Sequence, residues 1–136
     1  LIYKDKQFAR KEGLITRPTY EEVVMFLKED KTDRLIWTQE FDCTQFAHKV
    51  IRNAKAEGIY GCIVTIDMDM PDDDYLYSGH DIIAFHTIDT GIVYFEPQTD
   101  KVVYLYPNMN YATHLGYPDD YKMWVVQYDS CFEQVK

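Results

Sequence analysis

Cys43, His80 and Glu96 are the residues whose types and spacing can do chemistry together. Cys43 follows Asp42 at what reads as a helix start. A helix N-terminus carries roughly half a positive charge and free N–H groups, and both favour a thiolate. The first amides of such a helix can also donate to an oxyanion. Asp42 opposes the thiolate unless its carboxylate is turned away as the cap. A cysteine nucleophile needs a base, and the base needs an orienting group. His80 opens a strand after Ser78-Gly79, and Glu96 ends the next strand. If the hairpin pairs residues of equal parity, His80, Glu96 and Gln98 share one sheet face, and the turn Thr87 to Gly91 is short enough for that register. Glu96 or Gln98 then stands beside His80, with Asp100 as a substitute if the register slips. A plainer reading stands beside each residue: a buried structural Cys43, a loop-edge His80 and a solvated Glu96-Pro97 strand end.

The other histidines fit less well. His86 shares parity with His80 but lies six strand residues on, about 20 Å at roughly 3.3 Å per residue. His48 is on the Cys43 helix, more than a turn away. His114 sits in a Tyr-rich loop and reads as a surface residue.

The elements that must position these residues are legible. Thr19 and Glu22 form a capping box for a helix ending near Asp30, with Val23, Phe26 and Leu27 on its apolar face. Asp42 and Gln45 form a second box, Phe46, Val50, Ile51 and Ala54 line one face, and Gly58 stops the helix. Strands are predicted at Ile59 to Asp67, His80 to Thr87, Gly91 to Glu96, Lys101 to Tyr106 and Lys122 to Tyr128, with 107–121 as loop. The order of two helices and then about five strands predicts an α+β domain, helices packed on a mostly antiparallel sheet. The prediction is one domain over residues 1–136, with 1–18 as a basic arm.

The runs Asp42-Cys43-Thr44-Gln45-Phe46-Ala47, Ala56-Glu57-Gly58-Ile59, Gly79-His80 and Phe85 to Thr99 resemble the core of transglutaminase-like proteins, a branch of the papain-like fold. Pro18 to Glu22 and Asp30 to Asp33 resemble the lead-in of small archaeal and bacterial members. The match covers roughly 18–106. It implies a papain-like/transglutaminase-core fold in which Cys43 is the nucleophile, His80 the base and Glu96 the third member. It also implies a cysteine hydrolase or acyltransferase acting on a peptide or protein substrate, by amide hydrolysis or acyl transfer. The alternative it implies is an inactive extracellular binding or structural module. Gln39, four before Cys43, takes the oxyanion-donor place of the Gln ahead of the cysteine in papain-like enzymes. Two departures stand out: Glu96 where Asp is common, and Asp42 where an apolar residue is common.

Composition narrows the partners. The chain has 136 residues with 14 basic and 23 acidic side chains, a formal charge of −9, so nucleic acid is not expected as a partner. The near-apolar stretch Ile59 to Ile66 is far short of the roughly 20 residues a spanning helix needs. The cysteines, at 43, 62 and 131, hold no C-x-x-C, and no structural zinc or other cofactor is expected. Cys62 and Cys131 can pair, although two buried thiols is the reading preferred. The acidic loop Asp67 to Asp74 lacks EF-hand spacing and reads as solvated. Tyr75, Tyr77, Tyr104, Tyr106, Tyr111 and Tyr117 can line a groove for peptide or sugar, or serve as ordinary strand and rim residues. The basic arm and the absence of an initiator Met lead to the expectation of an extracellular or membrane-tethered protein.

Overall fold

The structure is a computed structural model that describes residues 16–38, 42–71, 78–118 and 120–130. Gln39, Asp72 to Asp74, Tyr75, Tyr77, Cys131 and the basic residues before Thr16 lie outside the described residues.

Both helices begin where the capping chemistry requires. Thr19 Oγ1 accepts from the Glu22 N–H and Glu22 Oε1 accepts from the Thr19 N–H, each at 3.1 Å. Helix α1 then runs Tyr20–Glu29 and buries Val23, Phe26 and Leu27. Asp42 Oδ1 accepts from the Thr44 N–H at 3.0 Å, and Gln45 Oε1 accepts from the Asp42 N–H at 3.1 Å. Helix α2 runs Cys43–Ala56 and buries Phe46, Ala47, Val50 and Ala54. Each cap contributes about 1 kcal/mol by satisfying amides that the helix leaves unpaired. Gly58, at φ 76°, makes the left-handed turn out of α2 that a side chain would strain.

Five antiparallel strands follow: β1 Gly61–Asp69, β2 Ser78–Thr87, β3 Gly91–Glu96, β4 Lys101–Val103 and β5 Trp124–Ser130, in spatial order β4-β3-β2-β1-β5. Strand alternation sends the odd and even residues of β2 to opposite faces. Ile83 and Phe85, with Phe95, meet the apolar stripes of α1 and α2. Ile82 and Ala84 join Val64, Ile66, Met68 and Val103 on the other face, under Met109, Tyr111, Ala112 and Met123. The run Ile82-Ile83-Ala84-Phe85 is continuous because both faces of the sheet are covered.

The predicted strand positions hold to within two or three residues, while Tyr104 to Tyr106 leave the sheet and 112–115 form a 3-10 turn. The fold class needs correction. The described chain is mainly a five-stranded antiparallel sheet, carrying two helices of 10 and 14 residues on one face. The segment from Val103 to Met123 closes the opposite face without a helix of its own beyond the 3-10 turn. A papain-like/transglutaminase-core α+β layering does not describe it. Among the described residues the five strands take more of the chain than the two helices. Among the described residues no helix is long and apolar enough to cross a membrane.

Candidate functional site

Cys43, His80 and Glu96 come from three different elements and meet at the end of the β2–β3 ladder. Cys43 opens α2, on the helix-bearing face of the sheet. His80 lies near the start of β2 and is 5% exposed, and Glu96 ends β3 and is 0% exposed. The β2–β3 ladder reaches no further than the Ile83–Phe95 pair. The backbone of His80 and Asp81 therefore has no β3 partner, and α2 approaches that free edge. The Asp81 N–H donates to the Cys43 sulfur there, and Cys43 also hydrogen-bonds the His80 ring. His80 Nε2 carries the contact to Glu96 Oε1, leaving Nδ1 as the ring nitrogen for the thiol.

Glu96 is held on every side. Oε1 also accepts from the Tyr111 hydroxyl at 3.0 Å, and Oε2 accepts from the Gln98 N–H at 3.0 Å. Burial, then the Glu96 charge and hydrogen bond, push the Tyr111 phenol well above its usual range, so Tyr111 remains a donor. The Tyr111 ring packs 5.3 Å from the His80 ring and stacks on His114 at 4.9 Å. His114 is thus part of the loop cover rather than a free surface residue, and burial lowers its pKa. His86 and His48 take no part in this chain of contacts among the hydrogen bonds described.

The electrostatics follow from these partners. Burial raises the Cys43 thiol, but the His80 hydrogen bond, the Asp81 amide and the His80 charge outweigh it, and its pKa is lowered. Burial disfavours the imidazolium, but hydrogen bonds to Cys43 and Glu96 and the charges of both outweigh it, raising His80 to about 9. The two shifts share one cause: each group favours the charged form of the other. Cys43 is a free cysteine, whereas Cys62 is disulfide-bonded, which corrects the preferred reading of Cys62 as a buried thiol.

Two participants were missed in the sequence. Tyr111 was one of several tyrosines assigned to a groove or rim, yet it is fully buried on Glu96. Asp81 follows His80 directly, and strand alternation alone sends it to the helix side. Gln39, the candidate oxyanion donor, lies outside the described residues.

A separate carboxylate group lies between the end of α1 and the β3–β4 turn. Burial, then Asp33 and Asp30, push Asp100 up to about 7. Its folded pKa is thus above its unfolded value, so the associated stability is present below about pH 4 and lost as pH rises through about 7. Asp100→Asn should therefore melt higher than wild type at pH 8 and show no advantage at pH 4. The φ of 61° at this position suits Asn. Equal melting differences at both pH values would show that folding does not raise the Asp100 pKa. No group of three or more His, Cys, Asp or Glu among the described residues is arranged to hold a metal ion.

No family model matches the chain, and no curated protein matches it. A solved structure it is similar to is Polyporus squamosus lectin bound to the epitope Neu5Aca2-6Galb1-4GlcNAc, at 16% identity and a TM-score of 0.46, over 82% of this chain and 38% of that one. A second, described as the PSL1a-E64 complex, matches at 16% identity and a TM-score of 0.46, over 81% of this chain and 38% of that one. The chain thus spans less than two-fifths of the length of these structures.

These findings correct the transglutaminase-like membership. Peptide amide hydrolysis and acyl transfer fall with it, since each was inferred from that membership; of the alternative, only the transglutaminase-like label falls. No family model, of transglutaminases or of any other kind, matches the chain. The physical reason is that Cys at a helix start, His on a strand and Glu on the next is a local order. Any helix laid against an antiparallel hairpin can carry that order, which specifies contacts and not ancestry.

Proposed function

We propose that the domain carries a reactive thiol centre that captures an electrophilic ligand, with Cys43 as nucleophile, His80 as its proton partner and Glu96 as the group that holds the imidazole. The observation that carries this reading is the continuous hydrogen-bonded chain from Cys43 through His80 to Glu96, built from three elements and closed by Tyr111. The thiolate sulfur forms a bond to an electrophilic carbon, and the imidazolium supplies a proton to the atom that receives the displaced electron pair. The chemical class of the electrophile is set by whatever the neighbouring surface admits. The disulfide at Cys62 supports an oxidising compartment, in keeping with an extracellular or membrane-tethered location.

The test is the rate of Cys43 alkylation by iodoacetamide as a function of pH in the non-reduced protein. The rate should reach half its maximum clearly below the value of about 8.5 shown by an ordinary cysteine. A midpoint at or above that value rejects the reading.

A second reading, saccharide binding, is favoured by two exposed rings. Tyr104 is 81% and Tyr106 58% exposed, beside a shallow hollow that Ile92, Tyr94 and Val102 help to line. Flat aromatic faces with a polar tip suit the C–H faces and hydroxyls of a sugar ring. Titration with galactose- and N-acetylglucosamine-based oligosaccharides should perturb the NMR signals of both tyrosines, and Tyr104→Ala should abolish the effect. Unperturbed signals at millimolar sugar reject this reading.

A further inference from the structure

We infer that Asp81 is a positioning residue for the Cys43–His80 pair, an inference that rests on the reactive-thiol reading. Its carboxylate joins three elements. Oδ2 accepts from Thr44 Oγ1 at 2.8 Å in the first turn of α2, and Oδ1 accepts from Thr65 Oγ1 at 2.8 Å on β1. Thr44 follows Cys43, and Asp81 follows His80. One carboxylate therefore ties the neighbour of the thiol to the neighbour of its base. The Asp81 amide meanwhile donates to the sulfur itself. Thr65 and Asp81 are register partners in the β1–β2 ladder, so the anchor sits on paired strands.

The rest of the α2–sheet contact is apolar, with Ala47, Val50 and Ala54 in the same cluster as Ile83 and Phe85. Such contacts are non-directional and tolerate a small slide of the helix. A thiol–imidazole hydrogen bond does not, because hydrogen bonds weaken steeply with angle and distance. The Thr44–Asp81–Thr65 clamp supplies the direction that the apolar interface lacks. Charge alone does not explain Asp81, since its carboxylate pushes the Cys43 thiol up. Electrostatics and positioning thus predict opposite signs when it is removed.

The test compares the pH dependence of Cys43 alkylation by iodoacetamide in wild type, Thr44→Val, Thr44→Ser and Asp81→Ala, each as the full chain with its melting curve. Thr44→Val should raise the midpoint by about half a pH unit or more and slow the rate at pH 7 roughly threefold. Thr44→Ser keeps the hydroxyl and should stay within about twofold of wild type. Asp81→Ala should also raise the midpoint, although it removes a charge that opposes the thiolate. A lowered midpoint in Asp81→Ala, or a Thr44→Val curve that superimposes on wild type while only its melting temperature changes, overturns the positioning role. If Thr44→Val does not fold, the sign of the Asp81→Ala shift decides. A wild-type midpoint in the ordinary thiol range overturns the reactive-thiol reading, and the positioning role with it. A low wild-type midpoint that neither variant raises overturns the positioning role alone.

Discussion

His80→Ala should move the midpoint of Cys43 alkylation up by a pH unit or more and slow the reaction at pH 7 about fivefold. His80 supplies both the hydrogen bond and the positive charge that oppose the burial of the thiol. Without the ring, burial and the Asp81 carboxylate both act to raise the thiol pKa, and only the Asp81 amide still lowers it. A thiol with pKa near 8.5 is only a few per cent ionised at pH 7, whereas a thiolate paired with an imidazolium is largely ionised. That gain in thiolate is partly offset because a less basic sulfur is also a weaker nucleophile, which brings the net change to roughly fivefold. The effect should vanish above about pH 9, where the His80 imidazolium is itself lost. Superimposable profiles for wild type and His80→Ala would show that the two side chains do not act as a pair.

Glu96→Ala should cost about 3–5 kcal/mol of folding stability at pH 7, measured by chemical denaturation. Three donors lose their acceptor together: His80 Nε2, the Tyr111 hydroxyl and the Gln98 amide. Glu96 itself is fully buried, so water does not readily replace it. His80 must then either remain charged in an apolar setting or give up its proton, and its pKa should fall. Glu96→Gln preserves the shape and one acceptor oxygen and should cost less, about 1–3 kcal/mol. A loss below about 1 kcal/mol in Glu96→Ala would mean that the loop over Tyr111 opens enough to hydrate the imidazole.

Local chemistry was the legible part of this chain. Thr19 with Glu22 and Asp42 with Gln45 mark helix starts because the amides they satisfy lie within three residues. Hairpin parity likewise brought Glu96 to the face of His80, since a short turn and a two-residue period leave few registers. What depended on distant chain was not legible. Tyr111 reaches Glu96 only because the segment after β4 folds across the sheet, and no spacing rule relates residues 96 and 111. Asp81 is tied to Thr44 across 37 positions. Reading a family from the same residues overreached for a related reason: the order Cys43, His80, Glu96 constrains which side chains meet, and no family model matches the chain that carries it. The architecture around them is decided by how the sheet is ordered and covered, which the motif does not encode.

The place of β5 has a consequence for the order of folding. β1 to β4 form through successive local connections, but β5 pairs with β1 across the whole intervening chain, as between Asp67 and Gln127, which are 60 residues apart. Closing a loop of that length costs roughly 2–3 kcal/mol more than closing a tight hairpin, and nonlocal pairing is slow. Docking of β5 should therefore come late, and Met123 and Val125 arrive with it to complete the core around Tyr111. Until that step the His80–Glu96 contact is open to water. A chain caught before it would have native-like hairpins and an imidazole of ordinary basicity, so the reactivity of Cys43 becomes a property of the finished fold and should emerge in the slowest refolding phase.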